Sequence, residues 1–183
     1  MMRYAVALLA FVTLQRLGDL VWAAQNAARL LASGGVEFGR KQYPALVVLI
    51  VGWLGGLWFW GYDRPVHATF VIIYALLQCC RLWVLMSLGR RFTTRIIVLP
   101  GASLVASGPY RVLKHPAYFI GSAEMAVVPL ALGMPIWAAL FFVLNVIGLA
   151  IRIRTENRAL DWATGIQAHR EGKKAATVPT VAG

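Results

Sequence analysis

Residues 117–151 read AYFIGSAEMAVVPLALGMPIWAALFFVLNVIGLAI, and this stretch decides the fold. One apolar block ends near Gly133 and the next opens at Pro135, with only Gly133-Met134-Pro135 between them. About 20 mostly apolar residues in a helix cross the hydrocarbon core of a bilayer. A connection this short predicts a tight antiparallel helical hairpin. Upstream lie three more apolar blocks, at about 4–24, 43–60 and 66–88. The expected fold is an all-α polytopic membrane bundle of about five transmembrane helices.

Composition agrees. Of 183 residues, 60% are hydrophobic and 14% charged, whereas a soluble domain carries about 25% charged residues. The length suits one compact bundle, residues 1–171, followed by a small, polar, aperiodic stretch, 172–183, expected to be a disordered tail. The N-terminal block carries Arg16 and Asp19 and precedes further spans, so it reads as the first span, not a cleaved leader. Trp53, Trp58, Phe59, Trp60 and Tyr62 fit an interfacial aromatic belt. Gly52, Gly55 and Gly56 are small enough to let helices approach. Cys79 and Cys80 are adjacent inside an apolar block. That spacing suits neither a disulfide framework nor a zinc site, and no metal is expected.

The net charge of +11 does not point to nucleic acid, because the cations flank the apolar blocks and form no basic stripe. They gather in three segments. Arg29, Arg40 and Lys41 lie before the second block; Arg90, Arg91, Arg95, Arg111 and Lys114 lie before the fourth; Arg152, Arg154, Arg158, Arg170, Lys173 and Lys174 follow the fifth. The opposite side offers Arg3 and Arg64. Five spans put all three basic segments on one side, and the positive-inside rule makes that side cytoplasmic. The N-terminus is then outside and the C-terminus inside.

Polar groups at membrane depth are costly and face a cavity or one another. Arg16 and Asp19 are three apart and share a helix face, where they can pair. Arg81 has Gln78 one turn earlier; Asn145 lies in the fifth block; Glu124 has no basic neighbour in sequence. Arg152 and Glu156 are four apart on one face. The loop 101–116 is long for a bundle. Its Gly108-Pro109 and His115-Pro116 steps bias the preceding residues to extended backbone. Tyr110, Arg111, Lys114, His115 and Tyr118 are thereby gathered at the mouth of the bundle.

These motifs carry a resemblance. Gly108-Pro109-Tyr110-Arg111, then Lys114-His115-Pro116 with Tyr118 and Gly121, and later Arg152-Ile153 with Glu156, resemble the paired signatures of the isoprenylcysteine carboxyl methyltransferase family over about residues 88–160. Lys114 stands where the family has arginine, and Asn157 where it has a second glutamate. The tail also departs, with Trp162, Gln167 and His169 in place of the family's Tyr-rich ending. Residues 93–101 and 35–39 further resemble a bacterial branch that accompanies type III polyketide synthases and O-methylates alkylresorcinols or alkylpyrones.

The resemblance implies S-adenosylmethionine as methyl donor and a lipophilic acceptor reaching the site from the bilayer. It implies donor contacts from Gly108, Pro109, Tyr110, His115, Pro116, Tyr118 and Glu156. Arg152, Glu156 and Glu124 are the expected catalytic residues, and Arg81, Arg16 and Asn145 the expected acceptor contacts. A phenolic acceptor benefits from a base, for which Glu124 and Glu156 are the candidates, and from a cation such as Arg152 or Arg81 for the oxyanion. The alternatives are carboxyl methylation of a prenylated cysteine, N-methylation of an aminophospholipid, an NADPH-dependent sterol reductase, and a transporter or scaffold.

Overall fold

The computed structural model describes residues 2–100 and 107–176, with side chains described as far as 165. Five helices run up and down: α1 (Met2–Ala32), α2 (Tyr43–Gly61), α3 (Ala68–Leu88), α4 (Pro116–Ala131) and α5 (Pro135–Ala176). Two short strands, β1 (Val36–Phe38) and β2 (Ile96–Val98), pair antiparallel with Glu37 opposite Ile97. Among the described residues this ribbon is the one departure from an all-helical reading. It joins residues 36–38 and 96–98, which lie in the two stretches that the sequence linked only by resemblance. Residues 101–106 of the long loop lie outside the described residues.

α1, α2, α3 and α5 are long and apolar enough to cross a membrane. α4 has 16 residues, about 24 Å at 1.5 Å per residue, somewhat short of a hydrocarbon core of about 30 Å. The helix surfaces face lipid: Phe59, Met86 and Ile136 are each more than 70% exposed, which a water-soluble fold would not tolerate on this scale. Cys79 and Cys80 lie on this outer face.

The α4–α5 hairpin closes as expected. Gly133 has φ 63°, Met134 N–H donates to the Pro129 carbonyl and Gly133 N–H to the Leu130 carbonyl. That is the glycine-terminated helix end of a Schellman motif. α5 runs on to Ala176, five residues into the stretch expected to be a disordered tail; residues 177–183 lie outside the described residues.

The core gathers Leu9 and Val12 of α1, Trp53 and Leu57 of α2, and Met125 and Val128 of α4. Trp53 is therefore not part of the aromatic belt. It is fully buried, and its indole N–H donates to the Met125 carbonyl at 3.1 Å. Among the α2 glycines the close approach belongs to Gly56, where an added Cβ would lie 1.9 Å from the Trp137 ring. At one end of the bundle the 61–67 turn meets the hairpin, with His67 N–H donating to the Ala131 carbonyl. The other end carries the ribbon, the exit of α3 and the start of α4.

Candidate active site

At that ribbon end a cavity of about 320 Å³ opens between the helices. Its wall includes apolar groups such as Leu46, Ile50, Met125 and Leu149, the β2 residues Ile96, Ile97 and Val98, and two polar clusters.

The first cluster lies at the mouth. Pro109 and Pro116 each occupy an early position of a helical turn, where a missing N–H costs nothing. Gly108 has φ 58°, and a Cβ there would meet Ser87 Oγ at 2.2 Å, so glycine alone lets the Gly108–Arg111 turn dock on α3. That turn puts Tyr110 on the cavity wall. Burial, and after it the charge of Glu156, raises the Tyr110 hydroxyl to about 12, so it remains a proton donor at neutral pH.

His115 precedes α4 and stacks on Tyr118, ring centroids 5.4 Å apart. The Tyr118 hydroxyl donates to Glu156 Oε2 at 2.5 Å and accepts from Arg152 Nε at 2.9 Å. Arg152 and Glu156 thus meet through Tyr118. His115 Nδ1 lies 3.8 Å from Glu156 Oε2, and His115 Nε2 is buried with no hydrogen-bond partner. Asn157 Oδ1 is likewise buried and unpartnered. Asn145 Nδ2 donates to Ser122 Oγ at 2.7 Å, and both residues line the cavity. Trp162, from the divergent tail, packs edge-on against Phe38 of β1. The side chains of Gln167 and His169 lie outside the described ones.

The second cluster lies deeper. Arg16 and Asp19 do not pair with each other. Arg16 reaches Glu124 Oε2 at 2.8 Å, and Asp19 is bound by Arg81, whose other nitrogen reaches Glu124 Oε2 at 3.0 Å. Glu124 Oε1 accepts from Gln78, Gln78 accepts from Gln15, and Gln15 accepts from the Tyr74 hydroxyl. Glu124, alone in sequence, is fully buried and holds two guanidiniums brought by α1 and α3. Two acids and two bases form a neutral set, the arrangement that makes buried charge tolerable. Among the described residues the cavity wall includes Arg16, Asp19 and Arg81, with Glu124 behind them.

Sequence reading did not find the cavity-facing position of Asp19 or the β2 wall. The signal for Asp19 was its shared face with Arg16, which sequence reading took for a pair.

The comparisons with known proteins agree in direction. A sequence profile of the isoprenylcysteine carboxyl methyltransferase family matches residues 70–162. An uncharacterized protein, YpbQ of Bacillus subtilis (strain 168), is 31% identical over 166 residues, covering 84% of this chain and 94% of the relative. No solved structure matches.

Proposed function

The chain belongs to the isoprenylcysteine carboxyl methyltransferase family, and from that premise we propose that it transfers a methyl group from S-adenosylmethionine to an oxygen of a phenolic or pyrone alkyl lipid. Membership makes it an integral membrane methyltransferase, and the family's methyl donor is S-adenosylmethionine. The finer reading rests on one observation. A single cavity, walled by apolar groups, carries the His115–Tyr118–Arg152–Glu156 cluster and also Arg16 and Arg81.

The residues present fit the donor. Its ammonium suits the Glu156 carboxylate, its carboxylate suits Arg152, and its adenine suits the stacked His115–Tyr118 face. The unpartnered His115 Nε2 and the Tyr110 hydroxyl are left to meet polar atoms of a ligand. Gly108, Pro109 and Pro116 act through the backbone they fix. The donor, when bound, supplies an electrophilic methyl carbon.

The chain's own work is alignment and exclusion of water, which for an in-line displacement is most of the catalysis. Tyr118 holds Arg152 and Glu156 in fixed relation. Met125 and Leu149 keep the space dry, and Asn145 offers a polar contact to the acceptor. Arg16 and Arg81 receive the acceptor oxygen as an anion, with Glu124 positioning both guanidiniums from behind. Two arginines argue against an amine acceptor. They would also receive a carboxylate, which keeps carboxyl methylation as the second reading. The phenolic choice, and with it a link to a type III polyketide synthase, is supported by the resemblance of the 93–101 and 35–39 stretches, of which 96–98 and 36–38 pair as the ribbon, with 96–98 on the cavity wall.

The test is methyl transfer by the detergent-solubilised chain with labelled S-adenosylmethionine. An alkylresorcinol, an alkylpyrone, a prenylated cysteine and an aminophospholipid are offered separately. Product from either of the first two supports the proposal. Product from the prenylated cysteine alone moves the reading to carboxyl methylation. Folded protein that neither transfers methyl nor is stabilised by S-adenosylhomocysteine defeats it.

A further inference from the structure

The family match begins at residue 70, so α1 lies outside it, yet α1 sends two charged side chains to the cavity wall. From that placement we infer that Asp19 is the proton acceptor for the acceptor hydroxyl, with Arg16 and Arg81 holding the oxygen as it becomes an anion. The inference rests on the phenolic reading above.

Three carboxylates lie near the cavity, and their surroundings separate them. Glu156 is engaged by Tyr118 and faces His115, at the end fitted to the donor. Glu124 is fully buried behind the arginines; its Oε2 accepts from Arg16 and Arg81, and its Oε1 from Gln78. Asp19 lines the cavity with its side chain 14% accessible and bound to Arg81; Glu156 also lines it and is 27% accessible, but at the His115–Tyr118 end, away from the two guanidiniums that Glu124 holds. Arg81 bridges Asp19 and Glu124, which fixes the Asp19 carboxylate next to the cation that would receive the oxygen.

The step balances. The hydroxyl O–H bond breaks, its proton bonds to a carboxylate oxygen of Asp19, and the electron pair stays on the acceptor oxygen. That pair then forms the bond to the methyl carbon as the carbon–sulfur bond breaks; the electron pair of that bond goes to sulfur, which leaves as the neutral thioether of S-adenosylhomocysteine, and the acceptor becomes a neutral ether. Asp19 returns its proton to water through the cavity mouth. A carboxylate is a weak base toward a phenol, whose pKa is near 10 as for tyrosine. The transfer becomes workable because Arg16 and Arg81 meet the charge as it develops.

The experiment uses the full chain in detergent and two acceptors: an alkylphenol, and the same lipid with a nitro group that makes it largely phenolate at the assay pH. Asp19→Asn keeps an oxygen for Arg81 to donate to. It should lose about 100-fold or more in turnover on the alkylphenol, within the usual range for general-base catalysis. On the nitro lipid it should stay within about threefold of the wild type. A structural role would lower both alike, and that result overturns the inference, as does full activity on the alkylphenol.

A second measurement needs no turnover and no Asp19 variant. Without methyl donor, and at a pH below the nitro lipid's own pKa where it is neutral in free solution, wild-type protein should shift the absorbance of the bound lipid toward phenolate, and Arg16→Gln should abolish the shift. Binding in the neutral form would overturn the oxygen site. Failure of the wild type to methylate any acceptor, or to be stabilised by S-adenosylhomocysteine, overturns the methyltransferase reading and this inference with it.

Discussion

At the scale of single residues the two glutamates have opposite expected phenotypes. Glu156 sits at the mouth, with one oxygen bonded to Tyr118. In the proposed donor site, Glu156→Gln would remove a charge-assisted hydrogen bond to the donor's ammonium, a contact worth about 1.5–3 kcal/mol. Isothermal titration with S-adenosylhomocysteine should therefore show affinity weakened by about 10- to 100-fold, with the melting temperature of the ligand-free protein unchanged. Glu124 is fully buried with a guanidinium on each side. Glu124→Ala leaves Arg16 without its carboxylate and Arg81 with Asp19 alone, and removing one partner from a buried pair costs about 3–5 kcal/mol. A melt in detergent should show a large drop or no folded protein, while Glu124→Gln, which keeps an acceptor, should recover much of it. Equal melts for the alanine variant and the wild type would remove Glu124 from the charge set. The sequence offered each of these residues as a candidate but not its partners. Arg16 and Asp19 look like a pair because three residues place them on one face, yet each is satisfied from another helix. Sequence spacing reports neighbours along one helix and is silent about α3 and α4.

At the scale of elements, the site depends on where the Gly108–Arg111 turn and the end of α5 are placed. α5 opens at Pro135, and about 20 residues at 1.5 Å each fill the hydrocarbon core. Arg152 and Glu156 therefore fall at the membrane edge, on the same side as the turn. The turn is held by a backbone that only glycine adopts comfortably. Gly108→Ala costs about 1–2 kcal/mol for the left-handed conformation and adds a clash with Ser87. Donor affinity should fall by tenfold or more, and Gly108→Ala combined with Ser87→Ala should recover only the part due to the clash, as measured by titration. A double variant no better than the single one would mean that the contact with Ser87 does not shape the site. The helices and the hairpin were legible because apolar blocks and Gly133-Met134-Pro135 are local signals. The ribbon was not, because its three-residue strands are joined across the 57 intervening residues, 39–95, by backbone hydrogen bonds. Trp53 was misplaced for a related reason: its position near a Trp-rich helix end is visible in sequence, but the Met125 carbonyl that binds it is not.

At the scale of the whole molecule, the up-and-down order of five helices puts the start of α1 and the end of the membrane-crossing part of α5 at opposite ends of the bundle. The start of α1, the 61–67 turn and the Gly133 hairpin share one end; Arg64 touches the Gly133 carbonyl and His67 the Ala131 carbonyl. The exit of α1, the ribbon, the start of α4 and the end of the membrane-crossing part of α5 share the other, along with the cavity. That second end also holds most of the cations. From the positive-inside rule we propose that the cavity lies at the cytoplasmic face, where a soluble methyl donor would be at hand while the acceptor stayed in the bilayer. α4 is the weak point of this arrangement, because about 24 Å of helix must reach across by local thinning or by burial against α3 and α5. Single cysteines introduced by Arg64→Cys and Lys41→Cys, in a background lacking Cys79 and Cys80, test it directly. An impermeant thiol reagent on intact cells should label the first and not the second. The reverse pattern would put the cavity outside, away from the cell's methyl donor, and would remove the physical basis for assigning its mouth to a soluble cofactor.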